Sequence, residues 1–187
     1  GTRLIGELGR AARVVRAIRG VPARVLPVAL WHTASVGLDL WLAAIAQGAS
    51  QVWLLLTEEE APEYRTALAE QMAVGQAILH GLGYAGEHFR LIEARDARDL
   101  PALDLALRAP AAQTVARPAS FAAQAAKRAT LYLALDHLMA QAPQPADEIA
   151  LPASGAPFGT LAIDTNRCTM CLSCVGACPE AALADNP

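Results

Sequence analysis

Apolar residues recur near the start of the chain at Leu4, Leu8, Ala11, Val15 and Ile18, with Arg3, Arg10, Arg13, Arg16 and Arg19 between them. Three-to-four spacing gathers the apolar set on one stripe of a helix. An amphipathic helix is therefore predicted over residues 3–19, closed by Gly20. A basic amphipathic helix can meet a membrane surface or an acidic partner. More often such a stripe packs on its own domain while the arginines face water.

The pattern then changes. Arg24–Leu30 reads as a strand, demoted towards an edge or bulge by Pro27. Ser35 is placed to cap a helix through Leu38, Trp41, Leu42 and Ile45, closed by Gly48. Gln51–Leu56 is a continuous apolar run of buried-strand type. Strand, helix and strand make a parallel crossover unit. Thr57-Glu58-Glu59-Glu60 has the form of a capping box, although Pro62 sits better at a first helical position. The helix that follows carries Leu68, Met72, Gly75, Leu79 and Leu82 on one stripe and ends at Gly83. Phe89–Glu93 is the third predicted strand. A short helical stretch near residues 100–107 and a Pro/Ala-rich connection over 109–119 follow. Ser120 is expected to cap a last long helix with Phe121, Ala125, Leu131, Leu135 and Leu138 inward. The expected architecture is α/β: a parallel-sheet βαβαβ docking domain over residues 1–145, a proline-rich linker over 146–157, and a separate segment over 158–187.

Composition narrows the function. The chain has 187 residues, 54% of them hydrophobic, and carries 15 basic and 18 acidic side chains for a net charge of −3. Nucleic-acid binding rests on neutralising phosphates with Lys and Arg, so nucleic acid is not the expected partner. No charge interrupts Leu40–Thr57, but the polar break Gln47-Gly48-Ala49-Ser50-Gln51 divides it into two shorter elements, and no transmembrane span is predicted. The predicted strand ends, Trp31–Gly37 and Thr57–Glu60, hold no Gly-rich phosphate loop, and the glutamates of the second would repel a phosphate. His32, His80, His88 and His137 share no metal-ligand spacing. Ser35 has no base in reach by motif, and Asp136 and His137 are helix neighbours that do not face each other. Trp31, Trp41 and Trp53 fit a core better than a cofactor shield.

All four cysteines lie in Cys168-Thr-Met-Cys171-Leu-Ser-Cys174-Val-Gly-Ala-Cys178-Pro179. The spacing C-x2-C-x2-C-x3-C-P is that of a [4Fe–4S] run, in which closely spaced thiolates from one loop reach different irons. Zinc would pair C-x2-C with a second pair or with histidines downstream, and none follows. Local disulfides belong to small secreted domains, whereas this chain is long and otherwise free of cysteine. Cys168, Cys171, Cys174 and Cys178 are thus the expected metal ligands, with Ile163, Met170, Leu172 and Leu183 expected to keep water from the cluster. Gly159–Asp164 reads as a short strand before the run, and Pro179–Leu183 as a helical turn after it. Reduced thiolates fit a cytoplasmic compartment.

This segment, over roughly residues 157–184, resembles the first half of a bacterial-type two-cluster ferredoxin domain. In that family three cysteines of a run hold one cluster and the fourth crosses to the other. The resemblance therefore implies that Cys168, Cys171 and Cys174 lack a fourth ligand here and that Cys178 serves a second cluster. With a start at Gly1 and an end at Pro187, the expectation is a fragment of a longer polypeptide carrying the partner motif. By itself, the fragment is expected to hold a labile cluster or none.

A second resemblance covers residues 23–95. The segment Gly37–Leu56 with its helix ending in Gly48-Ala49, the helix over Arg65–Gly83 and the ending Glu87–Ile92 is similar to the delta subunit of methyl-viologen-reducing hydrogenase and the C-terminal domain of heterodisulfide reductase A-type subunits. That family binds a [2Fe–2S] cluster through cysteines at its strand ends. Here Trp31, His32 and Thr57 stand there, which implies a domain kept for docking. The two resemblances imply an electron-transfer component of an oxidoreductase complex, serving a hydrogenase, a formate dehydrogenase or a heterodisulfide-reductase-like partner. The competing expectation is a scaffold or oxygen-sensing protein whose cluster is structural.

Overall fold

Two strands form the sheet. β1 (Val52–Leu56) and β2 (Phe89–Glu93) run parallel, in register from Val52 opposite Phe89 to Leu56 opposite Glu93. The computed structural model describes residues 1–159, 162–178 and 183–184. The chain divides into two units, Gly1–Ala156 and Pro157–Pro187.

Within the first unit, side chains alternate across the sheet, so Val52, Leu54 and Leu56 share one face and Trp53 and Leu55 the other. Helices α2 (Leu38–Ala46) and α3 (Pro62–Gly81) cover the first face: Trp41 of α2 lies 6.1 Å from the Phe89 ring. The second face packs with α1 (Thr2–Val14) and α4 (Leu100–Ala106), where Leu4, Leu8, Leu100 and Leu103 join Ile92, Trp53 and Leu55 in one cluster. Helix α5 (Lys127–Ala140) packs on α2. The result is a mixed α/β unit with helices on both faces of a two-stranded parallel sheet.

Gly75 sets the distance between helix and sheet. A Cβ there would sit 2.7 Å from Phe89 Cε2 and 2.9 Å from Leu38 Cδ1, so only glycine permits this approach. Gly83 ends α3 in the left-handed region, at φ 89°, which glycine adopts without steric cost.

Several expectations are corrected. Residues 24–30 are not a strand, so among the described residues the sheet has two strands and not the three of βαβαβ. Pro27 cannot donate to a ladder, and Leu26 and Val28 are 84% and 69% exposed. Helix α1 stops at Val14, short of Gly20, and Val15 turns outward in an extended conformation. Ser35 does not cap α2. Its hydroxyl donates to the His32 carbonyl at 2.6 Å, Gly37 is the N-cap, and Gln71 Oε1 accepts from the Leu38 amide at 3.4 Å. Glu60 does fold back on the Thr57 amide at 2.6 Å, but α3 begins only at Pro62. The bond therefore closes the end of β1 and does not open a helix. The last helix starts at Lys127 and not after Ser120. The Phe121 carbonyl, which a helix would use internally, accepts instead from Gln47 Nε2 at 2.9 Å, and Ala119 N–H donates to the Ala46 carbonyl. These bonds tie the segment to the end of α2. The stretch expected as a linker lies along α3: Ala146 N–H donates to the Gly81 carbonyl at 2.8 Å, and Ile149 covers Gly81. Among the described residues of 159–164 no strand forms, while Pro179–Ala182 lie outside the described residues.

Two buried polar groups staple the unit. Asp104 of α4, 5% exposed, accepts from the amides of Arg19 and Gly20 at 3.1 and 2.8 Å and pairs with Arg108 at 3.0 Å. Burial pushes its carboxyl up, but Arg108 and the amides outweigh this and hold it below its usual value. His88, fully buried, receives the Gln76 amide on Nδ1 at 3.2 Å and donates from Nε2 to the Gln113 carbonyl at 3.0 Å. Burial lowers its proton affinity, with the Gln113 carbonyl opposing in part and nearby His80 adding to the fall.

Asp104→Ala strands two amides and should cost about 2–3 kcal/mol in chemical denaturation. A depressed His88 means that the unfolded chain takes up the proton first, so stability should fall as pH drops below about 6.5. Denaturation midpoints compared across that range should show the loss in the native protein and a smaller one in His88→Gln.

Candidate iron–sulfur site

The cysteine run begins with a tight turn. Asp164 Oδ1 accepts from the Asn166 amide at 3.0 Å, and its carbonyl accepts from Arg167 and Cys168 at 3.1 and 2.9 Å. An aspartate folding on its own backbone in this way sets the chain direction just before the first cysteine. Met170 and Leu172, on either side of Cys171, both lie in the left-handed region at φ 54° and 58°. Bulky side chains seldom adopt that conformation, which costs on the order of 1–3 kcal/mol at each such position. Leu172 then opens a short helix α6 (Ser173–Ala177), its carbonyl accepting from Val175 and Gly176 at 3.0 and 3.1 Å. Cys168 and Cys171 thus stand on the loop, Cys174 in α6, and Cys178 at its C-terminal cap.

Cys168, Cys171 and Cys174 are exposed thiols, and Cys178 is half-buried. The Cys171 sulfur lies 3.2 Å from Ser173 Oγ. Hydrogen bonds from the Ser173 hydroxyl, then the Ser173 amide, then the Thr169 hydroxyl favour its thiolate and bring the pKa from 9.0 to about 7. The thiolate is the form that binds metal. Four soft sulfur donors on one short loop-and-helix segment are the donor set of an iron–sulfur cluster. Among the described residues, no three of His, Cys, Asp or Glu are gathered to hold an ion, so cluster binding would have to draw the sulfurs together.

Residues 161–184 match the family model of the 4Fe-4S binding domain. The match supports a ferredoxin-type motif over this stretch and implies an iron–sulfur cluster, with metal binding and electron transport as its role. Neither the curated proteins nor the solved structures include a match to the chain.

Within the matched stretch, the apolar residues expected to shield a cluster are themselves exposed: Ile163 by 62%, Met170 by 82% and Leu172 by 51%. Leu183 is half-buried. Ser173 and Thr169, which favour the Cys171 thiolate, belong to no motif of their own. Their only signal in the sequence is a hydroxyl within two positions of a cysteine.

The other candidates are not brought together. His32 Nδ1 accepts from the Ala34 amide at 3.1 Å, and its ring stands edge-on to Tyr64 at 4.8 Å, a capping and packing role. Trp31 is fully exposed while Trp41 is buried in the core. A shallow cleft past the end of β2 is lined by Glu93, Arg95, Asp96, Arg98 and Asp99. Arg98 pairs with Asp96 at 2.5 Å, Asp99 accepts from the Arg95 backbone amide at 2.6 Å, and Glu93 pairs with Arg65 outside the cleft. Among the described residues, no helix is long and apolar enough to cross a membrane.

Alkylation of the metal-free protein should modify the exposed Cys171 fastest near neutral pH and the half-buried Cys178 slowest. Peptide mass spectrometry against time gives the order, and Ser173→Ala should slow Cys171.

Proposed function

We propose that the protein is a ferredoxin-like electron-transfer component carrying a [4Fe–4S] cluster at its C-terminal segment. The observation that carries this reading is the C-x2-C-x2-C-x3-C-P run inside a stretch matching the 4Fe-4S binding domain. When bound, such a cluster takes up and releases single electrons. Cys168, Cys171 and Cys174 would hold it, and Cys178 would serve a second cluster by the crossover rule of two-cluster ferredoxins. Ser173 and Thr169, by hydrogen-bonding the Cys171 sulfur, would tune the potential. The first unit serves as a docking domain for a redox enzyme of the hydrogenase, formate dehydrogenase or heterodisulfide reductase type. Electron transfer leaves the protein's own bonds unchanged, so no acid, base or nucleophile is assigned.

Anaerobic reconstitution with iron and sulfide tests this. It should give broad visible absorption and reversible low-potential reduction, both lost in Cys168→Ser, Cys171→Ser and Cys174→Ser but kept in Cys178→Ser. The iron should be labile, because these residues supply only three ligands to that cluster. About four irons and four sulfides retained through aerobic purification would overturn the crossover assignment. A cluster that cannot be reduced would overturn the carrier role.

A further inference from the structure

Charge is unevenly placed along the chain. Residues 1–24 hold six of the 15 basic side chains and one of the 18 acidic, a net charge of +5, which leaves nine against 17, or −8, for the rest. Helix α1 keeps its apolar stripe inside, with Leu4 and Leu8 buried to within 2%. Its arginines face outward. Among the described residues, the guanidinium groups of Arg10, Arg13 and Arg16 make no hydrogen bond or ion pair, as is also true of Arg19, Arg95, Arg117 and Arg167, whereas those of Arg3, Arg24, Arg65, Arg90, Arg98 and Arg108 have partners. Arg10 and Arg13, three positions apart on the helix, repel each other. The fold gains little from keeping them there. Between Arg13 and Arg16, two valines are turned to solvent, Val14 by 82% and Val15 by 43%.

We propose that Arg10, Arg13, Val14, Val15 and Arg16 form a docking surface for an acidic protein, one that sets carboxylates around an apolar contact. Guanidinium groups match carboxylates in a bidentate fork, and arginine beside a small apolar centre is the usual make-up of a protein interface. Two other anionic partners fit less well. A membrane-lying helix needs its apolar stripe free to insert, and that of α1 is spent on the core. Single-stranded nucleic acid is gripped by aromatic stacking platforms, and residues 1–24 contain no Phe, Tyr or Trp. The inference does not rest on the iron–sulfur reading, and its test needs no iron.

The test uses the whole chain and a fluorescent synthetic peptide of glutamates interspersed with leucine, followed by anisotropy. Binding should weaken steeply between about 0.05 and 0.3 M salt. Arg13→Glu/Arg16→Glu should lower affinity at least about tenfold, and Val14→Ser/Val15→Ser about threefold with the salt dependence retained. Lys127→Glu, the same charge change on α5, should leave binding within about twofold. If the reversal variant fails to fold by circular dichroism, Arg13→Gln/Arg16→Gln replaces it. Absence of binding, or undiminished binding by the arginine variants, overturns the proposal. So does tighter binding to phosphatidylserine vesicles or single-stranded DNA, or self-association that the arginine variants abolish.

Discussion

Two parallel strands alone cannot hold a sheet together in water, because each face must be covered and a sheet this small buries too little by itself. The first unit is organised around that constraint. β1 is apolar along its whole length, since one face meets α2 and α3 while the other meets α1 and α4. The crossover helix α3 must come close to close the layer, and Gly75 removes the Cβ that would strike Phe89. Each further element then reaches the core through one that already touches the sheet, as α5 does through α2.

Burying both faces also leaves polar groups to be satisfied where helices and loops meet. Asp104 ties α4 to the turn after α1, and His88 ties the start of β2 to α3 and to the loop at Gln113. Buried polar groups of this kind contribute mainly by avoiding the cost of being unpaired. Both respond to acid in the destabilising direction, the carboxylate by gaining a proton and the imidazole by having to.

The cysteine segment follows a different logic. Helix α6 buries none of its residues, Met170 and Leu172 are turned to water, and the backbone at both lies in a costly region. Among the described residues of this segment none is buried, and in small metal-binding modules the free energy of binding contributes to folding. Three of its four thiols, those of Cys168, Cys171 and Cys174, are exposed, and that of Cys178 is half-buried.

The ferredoxin-type motif of that segment was legible in the sequence, because cysteine spacing is a local property of the chain. So were α2, α3, β1 and β2, whose strong periodicity and glycine stops agree with where they form, and Pro62 at the first position of α3. Tertiary structure decided the rest. Residues 24–30 have strand-like composition, but a strand exists only with a hydrogen-bonding neighbour, and Pro27 lacks an amide to offer one. Ser35 could cap a helix, yet Gln71, distant in sequence, arrived in that place. The segment after Ser120 could coil, but the end of α2 took its backbone groups. Local pattern sets what a segment is able to form; competition among distant partners for the same backbone groups and the same sheet face sets what it does form.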